Sequence, residues 1–219
     1  MFNFVVYFPI MEFTDKQITI LETAEKLFAD KGFDGTSVRD IADEADINVA
    51  MISYYFGSKE KLLESLFTFR AVDTVRILES MLHDVKLTPL EKINRLIDYY
   101  IDKFQTQHSF YKIMMREQVA DHRNVTSELI YNFKKRNQDL IKQLIHDGQK
   151  NGSFKKNIDI PILMTMLIGT ISHLFATQHY YKQINQLQDM KDEHFNHHLK
   201  KKLSTYLKVL FKTVLTHEA

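Results

Sequence analysis

The sequence of 219 residues contains no cysteine and only six glycines and three prolines. Without cysteine the chain cannot form a disulfide, a thiolate metal site or a cysteine nucleophile. Glycine and proline most often interrupt regular structure, so their scarcity favours long helices over many short strands. Leucine, lysine, glutamate, glutamine and methionine, which form helices readily, recur throughout the chain. The composition therefore predicts an all-α protein.

Basic charge is scarce in the first third of the chain. The net charge is +1, but residues 1–70 hold seven Lys/Arg against twelve Asp/Glu, so they carry −5 and the remainder +6. The sequence therefore contains no general basic arm that would bind nucleic acid through its charge. The apolar start MFNFVVYFPI is too short to cross a bilayer and lacks the basic flank of a signal peptide. Met11 directly precedes a helix start, so we expect residues 1–10 to be a start-site artefact or a strand-like arm.

Capping signals divide the chain into helices. Thr14 with Gln17, Ser37 with Asp40 and the sequence TPLE at 88–91 have the spacing of capping boxes, which begin helices. Nine helices follow from these signals and from the apolar periodicity. They are expected at 14–31, at two short segments capped by Thr36 or Ser37 and by Asn48, from Ser58 to about Val85, and at about 89–107, 109–120, 125–150, 159–183 and 192–216.

A helix-turn-helix pattern lies in the stretch VRDIADEADINVAMISYYF, residues 38–56. Its apolar residues keep the spacing of two short helices that cross at a tight turn, and the small Ala42 stands where those helices approach closely. The apolar positions are Ile41, Ala45, Ile47 and Ile52. Asp46 occupies the turn position that glycine usually takes, and aspartate enters a left-handed conformation at modest cost.

The second helix of this pattern has an unusual outer face. At about 100° per residue, Ile52 and Phe56 point together into a core, with Val49 and Tyr55 on the flanks. The outward positions are Ala50, Met51, Ser53 and Tyr54. An exposed apolar and aromatic surface on a short helix needs a partner, and the major groove of DNA is one such partner.

The tyrosines have a plainer explanation, because aromatic residues at helical spacing usually belong to a core. However, Tyr54 and Tyr55 cannot both lie on the same side of so short a helix as Ile52 and Phe56, so core packing does not explain both tyrosines. Phenol hydroxyls donate to phosphate oxygens, Lys59 adds a positive charge, and the amides near Ser58 at the start of the next helix can also bind a phosphate.

The stretch ILETAEKLFADKGFDGTSVRDIADEADINVAMISYYFGSKEKLL resembles the N-terminal domain of the tetracycline-repressor (TetR) family of bacterial transcription regulators, over about residues 14–63. The matching positions are Ala24, Leu27, Phe28, Gly32, Phe33, Thr36, Ser37, Ile41, Ala42, Ala45, Tyr54, Tyr55, Phe56, Ser58, Lys59, Glu60 and Leu62. Ala50 stands where this family often has glycine, and Ser53 where it often has tyrosine. These departures bear on which base sequence is bound and leave the binding mode unaffected.

The resemblance implies a helix-turn-helix DNA-binding domain at 11–60 and a helical ligand-binding and dimerisation domain at 61–219. It implies phosphate contacts by Thr36, Ser37, Tyr54, Tyr55 and Lys59. It also implies a recognition helix, Asn48 to Tyr55, that presents Asn48, Val49, Ala50, Met51 and Ser53 to base edges. No arginine or lysine lies on that helix, so thymine methyl contacts, hydroxyls and DNA shape must contribute more to sequence preference.

The layout of the later helices resembles the family's C-terminal domain, which binds a small molecule and forms a homodimer through its last two helices, here about 159–183 and 192–216. Aromatic and methionine residues are candidates for an apolar pocket, although most such residues simply pack a core. The wider set also includes Tyr99, Phe110, His179 and Tyr180. The expected ligand-binding residues are Tyr100, Phe104, Tyr111, Met114, Met115, Phe133, His173 and Phe175.

No arrangement of residues predicts catalysis, a cofactor or a metal site. His194 and His198 lie one helical turn apart beside His197, but a solvated helix start explains them better than a metal site. We therefore expect a cytoplasmic, homodimeric repressor that binds a double-stranded operator with an inverted repeat and is released by a small hydrophobic effector, without contact with a membrane. The alternative is a helical interaction module whose N-terminal unit docks a protein partner. An all-α enzyme would need a catalytic constellation that the sequence does not show.

Overall fold

The computed structural model describes residues 13–119 and 125–217, which form ten α-helices and no strand. The expected segment at residues 1–10 lies outside the described residues. The helices are α1 (Asp15–Lys31), α2 (Val38–Glu44), α3 (Val49–Phe56), α4 (Lys59–His83), α5 (Pro89–Thr106), α6 (His108–Val119), α7 (Val125–Lys150), α8 (Ile160–Ala176), α9 (Gln178–Ile184) and α10 (Asp192–Leu215). The all-α prediction is confirmed.

The predicted capping boxes are present at three helix starts. At α1, α2 and α5 the side chain of the N-cap residue accepts a hydrogen bond from the N3 amide, and the N3 side chain accepts one from the N-cap amide. These pairs satisfy amides that would otherwise have no partner in the first turn. The residue pairs are Thr14 with Gln17, Ser37 with Asp40 and Thr88 with Glu91.

The predicted single helix at 159–183 is wrong, because it is broken at Thr177 into α8 and α9. The two segments meet at an angle of 74°. The Thr177 hydroxyl and amide both donate to the carbonyl of His173, at 2.8 and 2.9 Å, and this closes the end of α8. The segment contains no proline or glycine near the break, so the sequence carried no local signal for it.

The chain divides into two compact units. Unit 1 comprises the described part of residues 1–77 and 109–136, and unit 2 comprises 78–108 and 137–219 up to the last described residue. The helices α4, α6 and α7 contribute residues to both units. The functional boundary expected near residue 60 stays a prediction.

Unit 1 comprises α1, the two short helices α2 and α3, and the parts of α4, α6 and α7 that belong to it. Phe28, Ile41 and Ile52 are each at most 1% exposed. The ring of Phe110 lies 5.0 Å from that of Phe67 and 5.7 Å from that of Phe133, both edge to face. Burial of these large apolar side chains is the main source of stability for the unit.

A buried ion pair joins α1 and α4 within unit 1. Arg70 Nε donates to Glu25 Oε2 at 2.6 Å, and the two side chains are 16% and 6% exposed. Burial raises the pKa of the Glu25 carboxyl, and the hydrogen bond and charge of Arg70 oppose that shift.

Unit 2 is centred on α5, which packs against α8 and α10. The buried stripe of α10 consists of Leu199, Leu203, Leu207, Phe211 and Leu215. Asp98 on α5 accepts hydrogen bonds from Ser204 Oγ and Lys208 Nζ, both at 2.6 Å. Within the described residues, each helix taken singly is too short or too polar to cross a membrane, and the strongly bent pair α8–α9 reaches the needed length and apolarity only together.

Candidate nucleic-acid interface and effector cavity

The helix-turn-helix pattern is present as α2, a tight turn and α3. Asp46 has a φ of 52°, which is the left-handed conformation predicted for the turn. The amide of Ile47 donates to the carbonyl of Ala42 at 3.0 Å, and Ala42 is 1% exposed. A small residue at Ala42 is thus required, because the turn folds back directly over it.

The recognition helix α3 is anchored on one side and open on the other. Ile52 is 1% exposed and Phe56 is 8% exposed, whereas Val49 and Tyr54 are 40% and 82% exposed. The Oδ1 atom of Asn48 accepts from the Ala50 amide at 2.8 Å and caps the first turn. The remaining outward positions Asn48, Ala50 and Ser53 are exposed, and Met51 is half-buried. The inward direction of Ile52 and Phe56 is confirmed, Met51 is less exposed than expected, and the other outward positions are exposed among the residues that the structure describes.

The two tyrosines differ in their surroundings. Tyr54 points into solvent, whereas Tyr55 is half-buried. Their ring centroids are 5.1 Å apart at an interplanar angle of 72°, and the Tyr55 ring lies 6.4 Å from that of Phe56. Tyr55 is therefore held between a core side chain and a solvent-facing one, and Tyr54 is the freer of the two hydroxyl donors.

Thr36 has a structural role that conflicts with the expected phosphate contact. It is 1% exposed, and its hydroxyl lies 2.8 Å from the carbonyl of Gly32 and 3.2 Å from that of Leu27. The hydroxyl closes the end of α1, whose cap residue Gly32 has a φ of 83°. A side chain so placed presents no atom to a phosphate, and we therefore remove Thr36 from the set of DNA-contacting side chains.

Lys59 is likewise engaged inside unit 1. Its Nζ donates to the carbonyls of Phe33 and Thr36 at 2.9 and 3.0 Å and lies 4.3 Å from the centroid of the Phe33 ring. These bonds tie the start of α4 to the loop between α1 and α2. Two of the three ammonium hydrogens are used, so a third donor and the positive charge remain for a phosphate.

Acidic groups stand next to two other expected phosphate contacts. The Ser37 hydroxyl donates to Asp40 Oδ2 at 2.6 Å, and this bond together with the Ser37 amide keeps the pKa of Asp40 below its ordinary value. At the start of α4, hydrogen bonds from its own amide and from Ser58 lower the pKa of Glu60. A phosphate would have to displace a carboxylate at either place, so Tyr54 and Lys59 are better placed than Ser37 or the α4 amides.

Arg39 is a candidate DNA contact that the sequence pattern did not single out. It is exposed and lies in the first turn of α2, two residues after Ser37. Arginine binds phosphates and guanine edges through its planar fork of donors. Its residue type and its position within the helix-turn-helix segment are the two features of the sequence that indicate this role. Arg39 is therefore a further candidate DNA contact.

A cavity of about 350 Å³ lies in unit 2, where the ends of α5 and α8 meet the starts of α6 and α10 and the helix α9. Phe104 and Phe175, both expected to bind ligand, contribute apolar lining. The rest of the lining is polar and includes His108, His179 and Lys182. A mixed cavity of this kind differs from the mainly apolar pocket that the sequence predicted.

The other expected ligand-binding residues do not line this cavity. Tyr100 in unit 2 is 3% exposed, and its burial strongly raises the pKa of its hydroxyl. In unit 1, Tyr111, Met114 and Phe133 are buried, with Phe133 packed on the ring of Phe110. Met115 is 43% exposed, and His173 lies on the solvent-facing side of α8. Their role as ligand contacts stays a prediction.

Comparison with known proteins identifies the family. Residues 20–66 match the bacterial regulatory proteins of the tetR family, and residues 89–205, more than half of the chain, match the tetracyclin repressor-like C-terminal domain. The probable HTH-type transcriptional regulator YttP of Bacillus subtilis is 27% identical over 172 residues, which are 77% of this chain and 81% of YttP.

Solved structures show the same fold. The fatty acid degradation regulator FadR from Bacillus halodurans aligns with a TM-score of 0.68 at 22% identity, over 90% of this chain and 97% of FadR. The ketosteroid transcriptional regulator KstR2 of Mycobacterium tuberculosis aligns with a TM-score of 0.67 at 20% identity, over 94% of this chain and 98% of KstR2. The matched N-terminal family and YttP are transcription regulators. The chain, with its helix-turn-helix unit and its matching C-terminal domain, belongs to the TetR family of DNA-binding transcription regulators.

Proposed function

We propose that the protein is a repressor that binds an inverted-repeat operator as a homodimer and leaves it when a small molecule occupies unit 2. The observation that carries this proposal is the outer face of α3. A helix capped at its start by Asn48, and anchored by Ile52 and Phe56, exposes apolar and aromatic side chains on its other side. An α-helix of this kind fits the major groove of B-DNA.

The contacts divide into two kinds. Tyr54, Tyr55 and Lys59 supply hydroxyl and ammonium donors for phosphates, Arg39 adds a guanidinium group, and together they fix the position of the protein on the duplex. The recognition helix reads base edges with its amide, hydroxyl and apolar side chains. These are Asn48, Val49, Ala50, Met51 and Ser53. Substitution of Ser53 or Ala50 is expected to change the preferred sequence, whereas loss of a phosphate contact weakens binding to all sequences alike.

The dimer forms through the faces of α8 and α10 that unit 2 leaves uncovered. On α10, Tyr206 and Val209 are 71% and 62% exposed, opposite the buried leucine stripe. On α8, Ile162 is 59% exposed, and a Cβ added at Gly169 would meet no atom within 4 Å. Exposed apolar side chains beside a small residue favour close packing of a second helix. A two-fold dimer would present two copies of α3 to half-sites about 34–36 Å apart, one turn of DNA, or a multiple of that distance.

The effector would act by favouring a conformation whose two recognition helices fit DNA less well. A coupling free energy of about 1–3 kcal/mol changes operator occupancy several-fold to more than a hundred-fold. The helix α4 runs from residues of unit 1 into residues of unit 2 and is the most direct covalent route for this coupling. FadR is a fatty acid degradation regulator and KstR2 a ketosteroid transcriptional regulator, which supports an effector with a substantial apolar part. Acting on DNA, the protein would work in the cytoplasm.

Nuclease footprinting on the DNA upstream of the gene tests this proposal. We expect a protected region with a two-fold repeat, and a mass twice that of the chain by light scattering. Val209→Glu places a charge on the proposed dimer face and should yield monomers that lose the footprint at the same concentration. Lys201→Glu, a charge change at another exposed position of α10, is the matched control and should remain a dimer. A monomer that protects the site as well as wild type would contradict the dimer proposal.

A further inference from the structure

The bend at Thr177 forms one wall of the unit 2 cavity. Phe175 lies just before the bend, and Gln178, His179 and Lys182 lie just after it, and all four line the cavity. If α8 had continued straight to residue 183, the three side chains after the bend would not lie at the cavity together with Phe175. The segment after the break thus adds Gln178, His179 and Lys182 to a polar lining that also includes residues of α5, α6 and α10.

Lys182 is a largely buried cation in this wall. Its side chain is only 14% exposed, and its Nζ lies 4.5 Å from the centroid of the Phe195 ring. Phe195 is itself 1% exposed. A cation removed from water against an aromatic ring is stabilised chiefly by a nearby anion.

The anion that Lys182 has in this structure is a weakly held carboxylate of the chain. Lys182 Nζ donates to Asp192 Oδ1 at 2.7 Å, but the Asp192 side chain is 91% exposed. The hydrogen bond and charge of Lys182 keep the pKa of Asp192 below its ordinary value, so Asp192 is ionised at neutral pH. An ion pair with one nearly fully exposed member contributes little to stability, and another anion can replace it at low cost.

Further groups around Lys182 suit a polar head attached to an apolar body. His108 and His179 are additional cavity residues whose ring nitrogens can form hydrogen bonds with a polar group. Phe104 and Phe175 are the apolar residues of the lining. The volume of about 350 Å³ is at the lower end of the range for small-molecule sites, about 300–1,000 Å³.

We propose that this cavity binds a small organic anion, whose carboxylate or phosphate replaces Asp192 on Lys182 and whose apolar part contacts Phe104 and Phe175. The proposal rests on the proposed role of unit 2 as the effector-binding unit, and it deepens that role by giving the effector a negative charge. In the free protein Asp192 occupies the position of the ligand anion, so it competes with the ligand.

The test is a direct binding measurement on the full chain by ligand-observed NMR, without DNA. The probes are phenylacetate and octanoate, each compared with its uncharged amide. We expect each anion to bind at least tenfold more tightly than its amide. Lys182→Met should remove that difference, whereas Asp192→Asn should tighten binding of the anions several-fold because it removes the competing carboxylate.

The control is Lys200→Met, which makes the same substitution in another Lys–Asp pair of unit 2, with Asp102, and neither residue of that pair lines the cavity. It should leave anion binding unchanged. Asp192 lies at the surface, so Asp192→Asn keeps the inference testable even if Lys182→Met fails to fold. Failure of both anions to bind, equal binding of anion and amide, or no tightening in Asp192→Asn would each overturn the inference.

The outcome is separable from that of the proposed function. If the protein binds its operator but binds neither anion, the cavity inference fails and the repressor proposal stands. If the anions bind with the expected dependence on Lys182 and Asp192 but no DNA is bound, the repressor proposal fails and the anion site stands.

Discussion

Replacement of Lys59 by alanine tests whether the hydrogen bonds of this residue stabilise unit 1. The substitution removes two hydrogen bonds from an ammonium group to backbone carbonyls, at 2.9 and 3.0 Å, and a contact with the Phe33 ring at 4.3 Å. Hydrogen bonds to charged groups are each worth about 1.5–3 kcal/mol, and a cation over an exposed ring about 0.5–1 kcal/mol. The side chain is only half-buried, and water can reach the abandoned carbonyls, which lowers the total. We expect a loss of about 2–3 kcal/mol in the free energy of unfolding.

The assay is urea unfolding followed by circular dichroism, with Lys61→Ala as the matched control. Lys61 is 68% exposed and pairs with Glu64 at 3.2 Å within one helix, an arrangement worth about 0.2–0.5 kcal/mol. The control should therefore unfold almost like wild type. If Lys59→Ala also falls within about 0.5 kcal/mol of wild type, the charged hydrogen bonds of Lys59 do not stabilise unit 1 and the structural argument is refuted.

Three further predictions follow from exposure, charge and packing. Tyr54→Phe should weaken binding to every duplex about two- to tenfold in fluorescence anisotropy, the worth of one hydrogen bond, without changing stability because Tyr54 is 82% exposed. Glu25 has a pKa raised by burial, so its contribution to stability is fully present below the ordinary value of 4.5 and decreases as the pH rises through the raised pKa. The free energy of unfolding of wild type minus that of Glu25→Gln should therefore decrease as the pH rises above 4.5. An increase of this quantity with pH would contradict the prediction. Gly148→Ala would place its Cβ 2.2 Å from the buried Phe154 ring and should cost about 1–3 kcal/mol in thermal unfolding, whereas Gly169→Ala, whose Cβ meets nothing, should leave the isolated fold as stable or more so.

Local features of this fold could be predicted because their chemistry is contained within a few residues. The capping box of Ser37 and Asp40 needs only residues three apart, and the left-handed turn at Asp46 needs only a residue that tolerates it. The inward direction of Ile52 and Phe56 follows from helical periodicity alone. The exposed outer face of α3 could be deduced from the sequence for that reason.

Features that depend on distant parts of the chain could not be predicted. Lys59 and Thr36 look like surface donors in the sequence, but their partners are carbonyls that only the folded loop after α1 brings within reach. No glycine or proline near Thr177 signals the helix break, and that break places Gln178, His179 and Lys182 at the cavity wall. Aromatic and methionine residues identify buried positions but do not distinguish core packing, as at Phe133, from a cavity wall, as at Phe104.

The most direct test of the account is binding of the purified protein to the DNA upstream of its own gene, by mobility shift at two salt concentrations, with Tyr54→Ala alongside. We expect a saturable shift that weakens at higher salt, because phosphate contacts release counterions, and that is lost in the variant. Absence of binding at low salt even to random duplex DNA would contradict the account and favour a protein partner on the exposed face of α3.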